Sequence, residues 1–221
     1  MTSTEDLIAS LADKAQPVKR LRAPWLRAFF WLAGCLALLG LATLVTNAWP
    51  AMMTRLTDGR FALEMVATTL TGIAAVVAAF FVGLPDRSRL WLALPLPFLA
   101  LWIGSSGYEC YRNWVEFGPG QSLIVGESLH CFGFIVGLSI PLAGALYFAV
   151  GRIPTLYPGQ VMAVGGLGIA ALGAAMLQFF HPFDVTAMDL GLHAAAVALV
   201  AAVMGLFGRG RMRIQPKILL R

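Results

Sequence analysis

The sequence predicts an all-α integral membrane protein, a six transmembrane helix bundle with a short cytoplasmic N-terminal amphipathic segment. Three observations carry that expectation. Of the 221 residues, 59% are hydrophobic and only 12% are charged, whereas a soluble domain is about half apolar and about one quarter charged. Six apolar runs follow one another, and at about 20 residues per bilayer crossing they take up roughly 120 positions. The basic residues collect on one side of those runs. What remains is tails and short loops, which leaves no room for a second, soluble catalytic domain. The chain therefore divides into residues 1–24, an N-terminal cytoplasmic segment; 25–208, the six-helix membrane domain; and 209–221, a basic C-terminal tail.

The N-terminal segment opens on Ser3-Thr4-Glu5-Asp6. Ser3 suits an N-cap, Asp6 completes a pair resembling a capping box, and both acids complement the positive end of a helix dipole. Pro17 closes the pattern. Leu7, Ile8, Leu11 and Ala15 share one face, with Glu5, Asp6, Asp13 and Lys14 elsewhere. A lone helix of this length is marginal in water, so its apolar face needs a cover. The membrane surface is one cover and a protein groove is another. Interfacial helices carry Lys and Arg on their polar face, whereas this one is acidic up to Lys14, which anionic lipid would repel.

The first apolar run, Trp25 to Thr46, is longer than the core of a secretory signal peptide and follows about two dozen polar and amphipathic residues. It reads as a retained helix, with cleavage near Asn47-Ala48 as the alternative. The second run extends from Ala62 to Leu84. The third, Leu90 to Ile103, is the shortest and carries Pro95 and Pro97, which remove backbone donors; a kinked helix reaching toward Gly107 is expected. Leu129 to Val150, Gln160 to Phe180 and Met188 to Phe207 complete the set. Gly133 and Gly137 form a GxxxG pattern, and the fifth run contains Gly165, Gly166, Gly168 and Gly173, which suits close helix packing inside the bundle or between copies. No internal repeat marks two pseudo-symmetric halves.

Orientation follows from charge. With the N-terminus cytoplasmic, 13 of the 16 basic residues lie inside, leaving only Arg55, Arg60 and Arg112 outside. This bias puts both termini in the cytoplasm. The outer segments hold Asp58, Glu109, Glu116, Glu127, Asp184 and Asp189. The net charge of +5 is thus accounted for by membrane topology and contact with anionic lipid heads, not by direct nucleic-acid binding.

Metal-binding and titratable groups gather on that outer side as Cys110, Glu127, His130, Cys131, His181, Asp184 and His193. Thiolate and imidazole suit zinc and other soft or borderline ions, and His130, Cys131, His181 and His193 could meet at one depth. Each also has a plainer reading. His130 and His181 sit at helix ends, and Cys131 is a small apolar side chain. His193 within a span is expected to face the interior with a partner. Cys35 reads as packing, and a disulfide between Cys110 and Cys131 stays open. No Walker loop, G-x-S-x-G, H-E-x-x-H or strand-to-helix G-x-G-x-x-G occurs, and there is no C-x-x-C. No enzyme activity and no resident cofactor are expected, with a transition or heavy metal ion as a signal. The competing class is a small membrane transporter or redox protein using His193 and Glu64.

Several segments in order resemble the six-span membrane anti-sigma factors called negative regulator of sigma F. These are Thr4-Glu5-Asp6-Leu7-Ile8 with Leu11 and Ala12, then Pro17-Val18-Lys19-Arg20-Leu21-Arg22-Ala23-Pro24. Arg87-Ser88-Arg89, Ser128-Leu129-His130-Cys131 with Leu138-Ser139-Ile140-Pro141, and His181-Pro182-Phe183-Asp184 follow. The resemblance spans essentially the whole chain. It implies that the N-terminal segment binds an extracytoplasmic-function sigma factor and holds it inactive at the membrane, and that outer cysteines sense metal or oxidant and release it. One family cysteine corresponds to Cys131. The second precedes the Pro-x-Asp before the last span, where this chain has His181, so a disulfide between those two positions cannot form. Cys131 and His181 as metal ligands, Cys110 as substitute thiol, and altered or lost sensing are the alternatives this leaves.

Overall fold

The computed structural model describes residues 3–13, 22–118, 125–150, 155–180 and 187–212. Every regular element among them is helical: α1 (Thr4–Asp13), α2 (Pro24–Thr46), α3 (Trp49–Arg55), α4 (Gly59–Val82), a 3-10 turn (Arg89–Ala93), α5 (Leu96–Phe117), α6 (Val125–Val150), α7 (Pro158–Leu177) and α8 (Ala187–Met212). Six stretches are long and apolar enough to cross a bilayer: α2, α4, the 3-10 turn continued by α5, α6, α7 and α8.

Their ends follow local chemistry. α2, α3 and α7 carry proline in their first turn, where a missing N–H costs nothing. α2 stops at Asn47, which takes the left-handed conformation at φ 50° that asparagine tolerates. The Asp58 side chain accepts from the Arg60 amide at the start of α4. In α5 the sequence expectation needs correcting. Pro95 is the N-cap and Pro97 lies in the first turn, so the two prolines fall at the break between the 3-10 turn and α5 within the third crossing. The helix then runs ten residues past Gly107 to Phe117, and its last turns carry the Arg112–Glu116 ion pair at 3.5 Å. The short α3 was also not expected. Pro50 starts it and Met52 anchors it in the interior.

Successive long helices run in opposite directions. The starts of α2, α6's end, α4's end and α8's end therefore share the end nearest the two tails, and the opposite termini share the far end. At the tail end, Arg27 lies over the Phe80 ring and donates to the Ala149 carbonyl, tying α2 to α4 and α6. α7 is the central helix, buried along almost all its length and packed chiefly on α8 and α4. Glycine makes that possible. A Cβ on Gly168 would lie 2.9 Å from the Val76 nitrogen and 3.0 Å from the Gly72 carbonyl, and one on Gly166 would lie 2.9 Å from the Ala201 Cα. The α7 glycines thus serve packing inside the bundle. Gly133 and Gly137 have no atom near the position of a Cβ, and their face of α6 points away from the described residues.

Candidate functional site

Two regions carry chemistry. The first is α1. The Asp6 amide donates to Ser3 Oγ at 3.1 Å, and the Ser3 amide donates to Asp6 Oδ2 at 3.2 Å. That reciprocal pair satisfies two donors a helix start leaves open. No residue of α1 is buried. Leu7, Ile8 and Leu11 remain 53%, 61% and 62% exposed, so nothing in the described chain covers the apolar face. Ala15 and Pro17 lie outside the described residues.

The second region is a cavity of about 420 Å³ at the far end, walled by α4, α5, α7 and α8. Its polar side chains come from helix termini that alternation brings together. Glu64, 8% exposed, accepts from the Ser106 hydroxyl at 2.7 Å, and Trp102 adds a second side-chain hydrogen bond. Arg55, on α3, donates to the Gln178 carbonyl at 2.6 Å and stacks on the Phe61 ring at 4.1 Å. His193 Nδ1 lies 2.8 Å from the Asp189 carbonyl. Asp58, Glu109 and Asp189 complete the polar lining. The rest is apolar and reaches Leu167 and Ala201. Glu64 and His193, named from the sequence as a pair of intramembrane groups, therefore line one cavity. Sequence reasoning did not assemble the remainder, because Arg55 and Gln178 read as ordinary loop and helix-end residues.

The residues expected to sense a signal are spread more widely. Cys131 is 3% exposed within the core, His130 beside it is exposed, and Cys110 is half-buried on α5. None of the three lines the cavity. Among the described residues Cys35, Cys110 and Cys131 are not joined in disulfides. His181 and Asp184, like the Glu127 side chain, lie outside the described residues. Among the described residues, no three His, Cys, Asp or Glu side chains are grouped to hold a metal ion.

A family model described as negative regulator of sigma F matches residues 11–213. The chain belongs to that family. No curated protein and no solved structure shows a significant match to it. The matched segment contains all six long helices and the cavity, and it enters α1 only at Leu11. The family description places the chain among negative regulators of a sigma factor.

Proposed function

We propose that the chain is a non-enzymatic, membrane-bound anti-sigma factor. It resides in the bacterial inner membrane with both termini cytoplasmic, and α1 with the residues that follow it sequesters an extracytoplasmic-function sigma factor. The observation that carries this reading is the uncovered apolar face of α1, held helical by its own capping pair in a family of sigma-factor regulators. Leu7, Ile8, Leu11 and Ala15 supply the apolar contact. Glu5 and Asp6 flank it and discourage adsorption to anionic lipid. The charge bias of the sequence supports the orientation.

Release responds to a metal or oxidant at the far end. Cys131 and His181 receive it, with His130, Cys110, Asp184 and His193 as further candidates that the sequence puts on the outer side. Cys131 is buried in the core, so altering its ligation or oxidation state changes helix packing directly. Driving such a switch from 1:99 to 99:1 needs about 5.5 kcal/mol of differential binding, a demand that several ligands acting together meet and one exposed imidazole does not.

Co-purification tests the partner half. Each Leu, when fully buried, contributes about 1.5–3 kcal/mol, so Leu7→Asp with Leu11→Asp weakens the complex roughly hundredfold or more. The full chain in detergent is expected to retain the sigma factor and the double variant to lose it. Equal retention by both overturns the proposal.

A further inference from the structure

The geometry points to a site for the phosphate of an anionic phospholipid at the tail end of the bundle, where Arg89 and Arg209 lie against the start of α7. This stands apart from sigma-factor regulation and rests on the six long helices crossing a bilayer. Three crossings have their ends here. The third begins at Arg89, the fifth begins at Pro158 and the sixth ends at Gly210, which sets these residues at the level of the lipid headgroups. A separate contact holds each arginine. The Arg89 guanidinium carbon lies 3.4 Å from the centroid of the Tyr157 ring. Stacking uses the face of a guanidinium and leaves its N–H edge for a phosphate. Arg209 crosses Gly159, where a Cβ would lie 2.7 Å from Arg209 Cγ and 3.2 Å from its Nε. The α7 backbone between them is uncapped. Tyr157 makes no side-chain cap, Pro158 has no N–H, and the Val161 amide donates to the Tyr157 carbonyl at 3.0 Å. Among the described residues the Gly159 and Gln160 amides have no acceptor, so they add to the positive end of the helix.

The chain supplies no counter-ion for this pair. Neither Arg89 nor Arg209 forms an ion pair among the described residues. After α1, the sequence holds a single acid at the tail end of the crossings, Asp86, and it pairs with Arg87 at 3.7 Å. The anion must therefore come from outside, and bidentate contact with guanidinium suits a phosphate. A zwitterionic headgroup would bring an ammonium that finds no uncommitted carboxylate, so the site selects an anionic lipid. Apolar neighbours select a lipid over a free ion. Leu90 follows Arg89, Leu156 precedes Tyr157 and Phe207 lies two residues before Arg209, and all three are exposed, surface that acyl chains cover.

The test is native mass spectrometry of the full chain in detergent, titrated with dioleoylphosphatidylglycerol and with dioleoylphosphatidylcholine. Saturable binding of phosphatidylglycerol, about tenfold tighter than that of phosphatidylcholine, is expected. Arg89→Gln and Arg209→Gln should each weaken it about tenfold. Tyr157→Leu keeps every charge but removes the ring under Arg89, and should weaken binding about two- to fivefold; Tyr157→Phe should leave it unchanged. Arg22→Gln makes the same change of charge ahead of α2, which packs on α4 and α6, and should also leave binding unchanged. Equal losses in Arg22→Gln and Arg89→Gln reduce the site to diffuse attraction and overturn the inference. Equal affinity for the two lipids, or displacement of the lipid by equimolar inorganic phosphate, overturns it as well.

Discussion

Ser3 stabilises a helix that no other described residue covers. With every residue of α1 exposed, its helicity depends on local chemistry, and the reciprocal Ser3–Asp6 bonds are its chief local asset. Removing an N-cap hydroxyl costs about 0.5–2 kcal/mol of helix stability. A partner that binds α1 as a helix must supply that energy. Ser3→Ala is therefore expected to weaken sigma-factor binding about two- to thirtyfold, and Ser3→Asp, which restores an acceptor, to recover most of it; titration of the full chain with the purified partner checks both. This capping pair was legible from four consecutive letters, because the hydrogen bonds involve residues three apart. The Ser106–Glu64 bond was not, since it joins residues 42 positions apart on helices whose rotation only the packed bundle defines.

At the scale of the element, α7 decides whether the bundle closes. Its neighbours approach to within backbone contact at Gly166 and Gly168, and packed interiors do not absorb extra methylenes freely. Gly168→Leu is expected to destabilise by about 1–3 kcal/mol or more. Gly137→Leu, on a face with nothing near the added Cβ, should stay within about 0.5 kcal/mol. Thermal unfolding of the two variants in the same detergent compares them directly. The six long helices were legible because hydrophobic length alone specifies them. The true extent of α5 was hidden by Tyr108-Glu109-Cys110-Tyr111-Arg112-Asn113, which reads as a loop by polarity, yet its Arg112–Glu116 pair sits at helical spacing. α3 was hidden by its seven residues, too few to show a period.

For the whole molecule, α1 precedes α2, whose start lies at the end of the bundle opposite the cavity, so on the proposed function a signal at the far end reaches the N-terminal segment through helix packing. Dose–response curves to metal and oxidant examine the sensing half. Cys131→Ala and His181→Ala are each expected to shift the half-maximal dose by about tenfold or to abolish release, because on the proposed function each removes one ligand from a site that must supply several kcal/mol. Unchanged curves in both variants would remove Cys131 and His181 from the mechanism. The sequence pattern sorted the charges by side and put Cys110, His130, Cys131 and His181 toward the outer helix ends. It left the cavity unassembled, because Arg55, Glu64, Ser106, Gln178 and His193 come from five separate helices or helix ends.

The central claim is that α1 holds the sigma factor, and target transcription in living cells tests it most directly. A reporter driven by the partner sigma factor is measured with the full chain, with Leu7→Asp and Leu11→Asp combined, and without the chain, at matched membrane levels of the two forms. The account predicts repression by the full chain and, with the double variant, reporter activity equal to that of cells lacking the chain. Repression that persists undiminished in the double variant would contradict it.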